Sequence, residues 1–184
     1  MAAADGAGKA FVRTKTVTAH NDATMRTVAD FGEFGQVTLD EPVPLGGTGQ
    51  GPSPLQAVLG ALCGCEAVTF HRTAAELGLR YESLDFEAAF TIDIRGRQGD
   101  RSVRPHFQTV RVRAVVATAE PMPELAAVIE ETEARCPVMN LLLDAKVDLR
   151  IEWVRDSSGT LETVPRRRPA PVTCRAVLGG RPEA

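Results

Sequence analysis

The chain has 184 residues and a formal net charge of −3, which suits one domain with a substantial core and argues against nucleic acid as a main partner. One Trp and one Tyr leave no stacking platform for single strands. No apolar run is long enough to span a bilayer, and the opening MAAADGAGKA lacks the continuous apolar region of a signal peptide.

The expected compartment is therefore the cytoplasm, where thiols stay reduced. Four cysteines, Cys63, Cys65, Cys136 and Cys174, are too few for a disulfide scaffold of this size.

Residues 1–9 read as a disordered N-terminus. FVRTKTVTA (11–19) is rich in Val and Thr and predicts a strand. Two more short strands are expected over 24–29 and 36–39, with Gly32 and Gly35 as turn punctuation. The glycines and prolines of 40–54 exclude regular structure. Over 55–77 the run LQAVLGALCGCEAVTF is apolar almost all round, which predicts a central buried helix. Gly60 and Gly64 lie on one of its faces and imply close packing there. Gly78 is a suitable C-terminal cap.

Strands follow. Leu84, Phe86, Ala88, Phe90, Ile92 and Ile94 alternate with mostly polar residues, and after a charged loop over 95–105 the partner strand places Val110, Val112, Ala114 and Val116 on one face. A helix over 124–135 turns Leu125, Val128 and Ile129 inward. A second helical segment starts at Pro137, with Val138, Leu141 and Leu142 at helical spacing. Val147, Leu149, Ile151 and Trp153 form a last strand. The expected layout is one domain over 10–155 and a solvated, arginine-containing tail over 156–184. Strands, long helix, strands, helices and strand make an α+β fold with a largely antiparallel sheet.

Two positions carry chemistry. Cys136 precedes Pro137, a residue favoured at the first helical position, so Cys136 is the expected N-cap. A helix N-terminus favours a thiolate, which opens the reading of a reactive thiol; taken alone, the residue fits a small buried apolar side chain better, as free cysteines usually are. Cys63 and Cys65 are a C-x-C pair. Residues two apart on a helix point to different faces, so they do not chelate easily, and no metal is expected. His20, His71 and His106 are scattered. There is no G-x-S-x-G elbow, and GGTGQG lacks the lysine of a phosphate cradle.

GPSPLQAVLGALCGC (51–65), preceded by DEPVPLGG and followed 71 residues later by CPV, resembles the OsmC/Ohr family of osmotically inducible and organic hydroperoxide resistance proteins. The resemblance implies antiparallel sheets wrapped around long central helices in an intertwined cytoplasmic homodimer. It also implies a thiol-dependent peroxidase acting on organic hydroperoxides. Carried over by motif, Cys65 attacks the hydroperoxide and becomes a sulfenic acid, and Cys136 resolves it as a Cys65–Cys136 disulfide. An external dithiol restores the pair, with no cofactor. The family also implies an arginine from the N-terminal strands near the attacking thiol; Arg26 fits, whereas Arg72 sits two helical turns from Cys65. Members usually hold that arginine with a glutamate one or two residues after the helix-opening proline. Here those positions, carried over as substrate-binding, are Leu55 and Gln56, and Gln56 cannot pair an arginine's charge. Glu66 or Glu41 could substitute. The departure keeps a second reading open, a non-peroxidase member that binds a small apolar ligand or senses oxidation.

Overall fold

The computed structural model describes residues 12–165. The chain divides into two compact units, between Val58 and Leu59. In the first, β1 (Thr18–Asn21), β2 (Thr27–Asp30) and β3 (Gln36–Leu39) form an antiparallel meander in the order β1-β2-β3. The first strand is shorter and later than 11–19 predicts; Phe11 lies outside the described residues. The second starts at Thr27, not at 24. The Asn21 side chain donates to the carbonyls of Thr24 and Arg26, and Ala23 takes a φ of 63°, so local hydrogen bonding claims these residues for a turn.

The loop after β3 is organised by Asp40. Its buried carboxylate accepts from Thr48 Oγ1 at 2.5 Å and from the amides of Glu41, Thr48 and Gln50 at 2.8, 3.0 and 3.1 Å. The chain passes itself so closely that a Cβ at Gly47 would meet the Glu41 carbonyl oxygen at 1.8 Å, and one at Gly51 the Thr38 oxygen at 2.2 Å. Only glycine fits at either position.

Helix α1 spans Pro54–Leu77. In the second unit β4 (Ser83–Thr91), β5 (Thr109–Ala117), β6 (Asp148–Ser157) and β7 (Thr160–Thr163) form one sheet in that order. β5 and β6 are parallel and the other pairs antiparallel. A parallel pair needs a crossover, supplied here by α3 (Met122–Arg135) and α4 (Pro137–Asp144). The short α2 is Ile94–Arg97.

Period-two burial holds along both predicted strands. Val110, Val112, Ala114 and Val116 of β5 are buried beside Ile151 and Trp153 of β6, and Leu125, Val128 and Ile129 of α3 are buried too. Phe70 of α1 stacks on Trp153 with ring centroids 5.6 Å apart.

Other expectations change. β4 ends at Thr91, because Asp93 accepts from the Arg95 amide and caps α2, which leaves Ile94 exposed. In α4 the inward residues are Met139 and Leu142, and Leu141 is exposed. The reading of α1 as buried all round does not hold within the chain. Leu59, Leu62, Glu66, Phe70, Thr73 and Ala74 form a single buried stripe, while Val68 is 53% exposed. A Cβ at Gly60 or Gly64 would meet nothing within 4 Å, so no described element packs closely there. β6 runs to Ser157 and β7 follows it, so the sheet extends into the stretch expected to be tail; Cys174 lies outside the described residues. Among the described residues no helix is long and apolar enough to cross a membrane.

Candidate active site

The site forms where α3 meets α4. Cys136 ends one helix and begins the next. Its amide donates to the Thr132 carbonyl at 3.0 Å, closing α3, while its Sγ accepts from the Met139 amide at 3.5 Å, capping α4. Pro137 enforces this break, since it offers no amide and biases the preceding residue toward extended backbone; Cys136 has φ −71° and ψ 113°. The Asn140 side chain locks the joint, donating to the Cys136 carbonyl at 2.8 Å and to the Glu133 and Ala134 carbonyls at 3.3 Å. At the surface Arg135 ties α3 to α1 through Glu76 at 2.6 Å.

Cys136 is fully buried, and Cys65 and Glu66 of α1 are near enough to perturb its thiol. Cys65 is half-buried, and its carbonyl accepts from Thr69 Oγ1 at 2.8 Å. Glu66 is fully buried, with both carboxylate oxygens shielded from solvent.

This corrects the expected electrostatics of Cys136. The N-cap geometry is present, and the Met139 amide does favour the thiolate. Burial outweighs it, and the Glu66 charge and the Cys65 contact add to burial, so the thiol is pushed far above the ordinary cysteine range. Burial, with a smaller contribution from the Glu66 charge, also raises the Cys63 thiol.

The other residues carried over belong to the first unit. Arg26 bonds Asp22 at 2.8 Å, and with Thr24 it holds the Asp22 carboxyl at about 2. Gln56 is engaged in capping. Its Oε1 accepts from the Ser53 amide at 2.9 Å and the Ser53 hydroxyl at 3.1 Å, while the Gln56 amide donates back to Ser53 Oγ at 3.3 Å. This is a capping box at the start of α1, signalled by S-P-L-Q in the sequence. Leu55, beside it in the first turn, is half-buried. The structure thus brings Cys65, Cys136 and Glu66 together and gives Gln56 a helix-capping role. Glu66 had a sequence signal: a carboxylate on the same helix face as Leu62 and Phe70, where apolar residues belong.

The fold matches solved structures. It is similar to an OsmC-like protein from Mycoplasma pneumoniae at TM-score 0.66 and 20% identity, covering 79% of this chain and 97% of that one. An organic hydroperoxide resistance protein OsmC from Legionella pneumophila matches at 0.59 and 19%, covering 79% and 98%. An organic hydroperoxide resistance protein from Elizabethkingia anophelis, with thiocyanate bound, matches at 0.61 and 14%, again covering 79% and 98%. At these identities the likeness is one of fold. No curated protein matches the chain. The family model described as OsmC-like protein matches residues 47–152, which is over half the chain and contains both thiols; the chain belongs to the OsmC-like family.

Proposed function

We propose that the protein is a cytoplasmic thiol peroxidase that reduces organic hydroperoxides. The Cys65 thiolate attacks the terminal peroxide oxygen, the O–O bond breaks, and the alcohol leaves with a proton. Cys65 is then a sulfenic acid. Cys136 attacks its sulfur, water leaves, and a Cys65–Cys136 disulfide remains for an external dithiol to reduce. The observation that supports this reading is that Cys65 is near enough to the buried Cys136 to perturb its thiol, so both cysteines of the motif belong to one site. Relatives in fold are named for organic hydroperoxide resistance.

The test is consumption of cumene hydroperoxide by the reduced protein with dithiothreitol present. Cys65→Ser should lose turnover by on the order of 10³-fold or more, as removal of a nucleophile does. Cys136→Ser should retain one reaction per chain and accumulate a sulfenic acid that dimedone traps. Full turnover in Cys65→Ser would sink the proposal.

A second reading has its own support. Arg26 is held by Asp22, and Gln56 is spent on Ser53. A cavity of about 480 Å³ opens in the second unit, lined by Met122, Ala126, Ile129, Trp153 and Val164 among others and by neither thiol. A non-peroxidase member binding a small apolar ligand there would consume no hydroperoxide in the same assay.

A further inference from the structure

The described chain ends at the cavity beside α3. This cavity measures about 480 Å³ and is lined by residues of the second unit, a volume with room for a small molecule or for more than one side chain. Its floor is apolar: Trp153, Ile129 and Val164 are 0%, 5% and 3% exposed. Of the described residues that line it, two carry charge, and both are acidic. Glu130 and Glu133 stand three apart on α3 and so share a face. Glu130 is exposed. Glu133 is buried, and its Oε1 accepts from the Trp153 indole at 3.0 Å.

The chain is pinned here as it leaves the fold. The Val164 amide donates to the Trp153 carbonyl at 2.8 Å, and Pro165, the next residue, also lines the cavity. The sequence continues as RRRPAPV, residues 166–172. An extended chain advances no more than about 3.6 Å per residue, so Arg168 stands within about 11 Å of Pro165. Three consecutive cations are thereby tied to the rim of an acidic cavity. Arginine suits such a lining: its methylene stem lies on apolar surface while its guanidinium donates to a carboxylate. The tether holds these side chains at an effective concentration in the millimolar range, so contacts too weak to keep a free peptide suffice.

We propose that this cavity is the docking site of the chain's own C-terminal segment, residues 166–172, seated by its arginines against Glu130 and Glu133. Any small ligand that enters must displace it. The proposal needs no turnover at Cys65 or Cys136, so it stands or falls apart from the peroxidase reading.

The full chain is treated briefly with trypsin. Cutting after Arg166 and Arg167 is compared with cutting after Arg175, a control site beyond the docked stretch; Arg168 precedes a proline and is not cut. Two variants are run beside wild type. Glu130→Gln removes the exposed charge, and Ala127→Leu narrows the cavity. Both positions are exposed and both replacements suit a helix, so the fold is kept. Each should speed cutting after Arg166 and Arg167 by about threefold or more, the scale of one exposed ion pair, and leave Arg175 unchanged. Unchanged cutting after Arg166 and Arg167 in either variant overturns the proposal, as does equal acceleration at Arg175. A second readout sits in the cavity itself. The chain has one Trp, so a nitrogen–proton correlation spectrum carries one indole signal, from the group that donates to Glu133. Arg166→Ser, Arg167→Ser and Arg168→Ser combined should move that signal, and its position in wild type should not depend on protein concentration. A signal blind to the arginines overturns the proposal; if added hexanol moves it instead, the cavity belongs to a small apolar molecule. A wild-type signal that shifts on dilution gives the cavity to the tail of a second copy and overturns docking within one chain.

Discussion

Cys136 sits in two opposed fields, and only one of them is visible in the sequence. The Cys-Pro pair announces an N-cap, and the structure has one. The opposing influences are burial, the larger, and Glu66 of α1, dozens of residues away in the chain; together they push the thiol up. Asp40 is the reverse case. Its carboxylate gathers four donors within its own loop, the Thr48 hydroxyl foremost, which lowers its pKa from 3.8 to about 2. A depressed carboxyl stabilises the fold above its unfolded value and loses that contribution as pH falls through the folded one. The loop should therefore hold above about pH 4 and loosen toward pH 2. Carbon-detected NMR should show the Asp40 carboxyl titrating near 2, with the Thr48 and Gln50 amides shifting at the same midpoint. A midpoint near the ordinary 3.8 would mean that the loop is not built on this residue.

At the level of elements, legibility followed burial. β4 and β5 are half in and half out of the core, so their period of two is written plainly, and α3 shows its inward face just as clearly. β7 has all four residues exposed, Thr160 to Thr163, so it carries no alternation to read. Its pairing with β6 comes from the tight hairpin and from the cross-strand Arg155–Glu162 ion pair, neither of which leaves a hydrophobic pattern. The start of α1 is legible too: S-P-L-Q is a capping-box pattern, and Gln56, in the place where relatives hold an arginine, closes that box with Ser53. Ser53→Ala should cost about 1 kcal/mol by removing the cap. Chemical denaturation measures this directly, and a loss within error of zero would show that the box contributes nothing.

For the whole molecule, the open question is what meets the outer side of α1. Gly60, Ala61, Gly64 and Val68 are exposed in the chain and share one face of the helix at spacings of three and four residues. The two glycines predict a tightly packed neighbour, and a Cβ at either would meet nothing within 4 Å among the described residues. A second copy, as the family resemblance implies, would account for it, because small residues let helices approach closely. Sedimentation should therefore show a dimer at micromolar concentration. Gly64→Leu should weaken the association by about tenfold or more without altering folding of the strands. A wild type that sediments as a monomer would remove the proposed partner and leave the exposed stripe unexplained.

The double role of Cys136 as the end of α3 and the beginning of α4 also determines how the position can be changed. Serine ranks among the best N-cap residues. Its hydroxyl oxygen replaces the sulfur as acceptor for the Met139 amide, while its amide still closes α3. Serine therefore removes the redox chemistry and keeps the joint. Alanine removes the thiol and the cap acceptor together, and a loss of activity in that variant would mix a missing thiol with a frayed start of α4. Chemistry and architecture can thus be separated here by a single oxygen atom, which makes serine, and not alanine, the informative silence at this position.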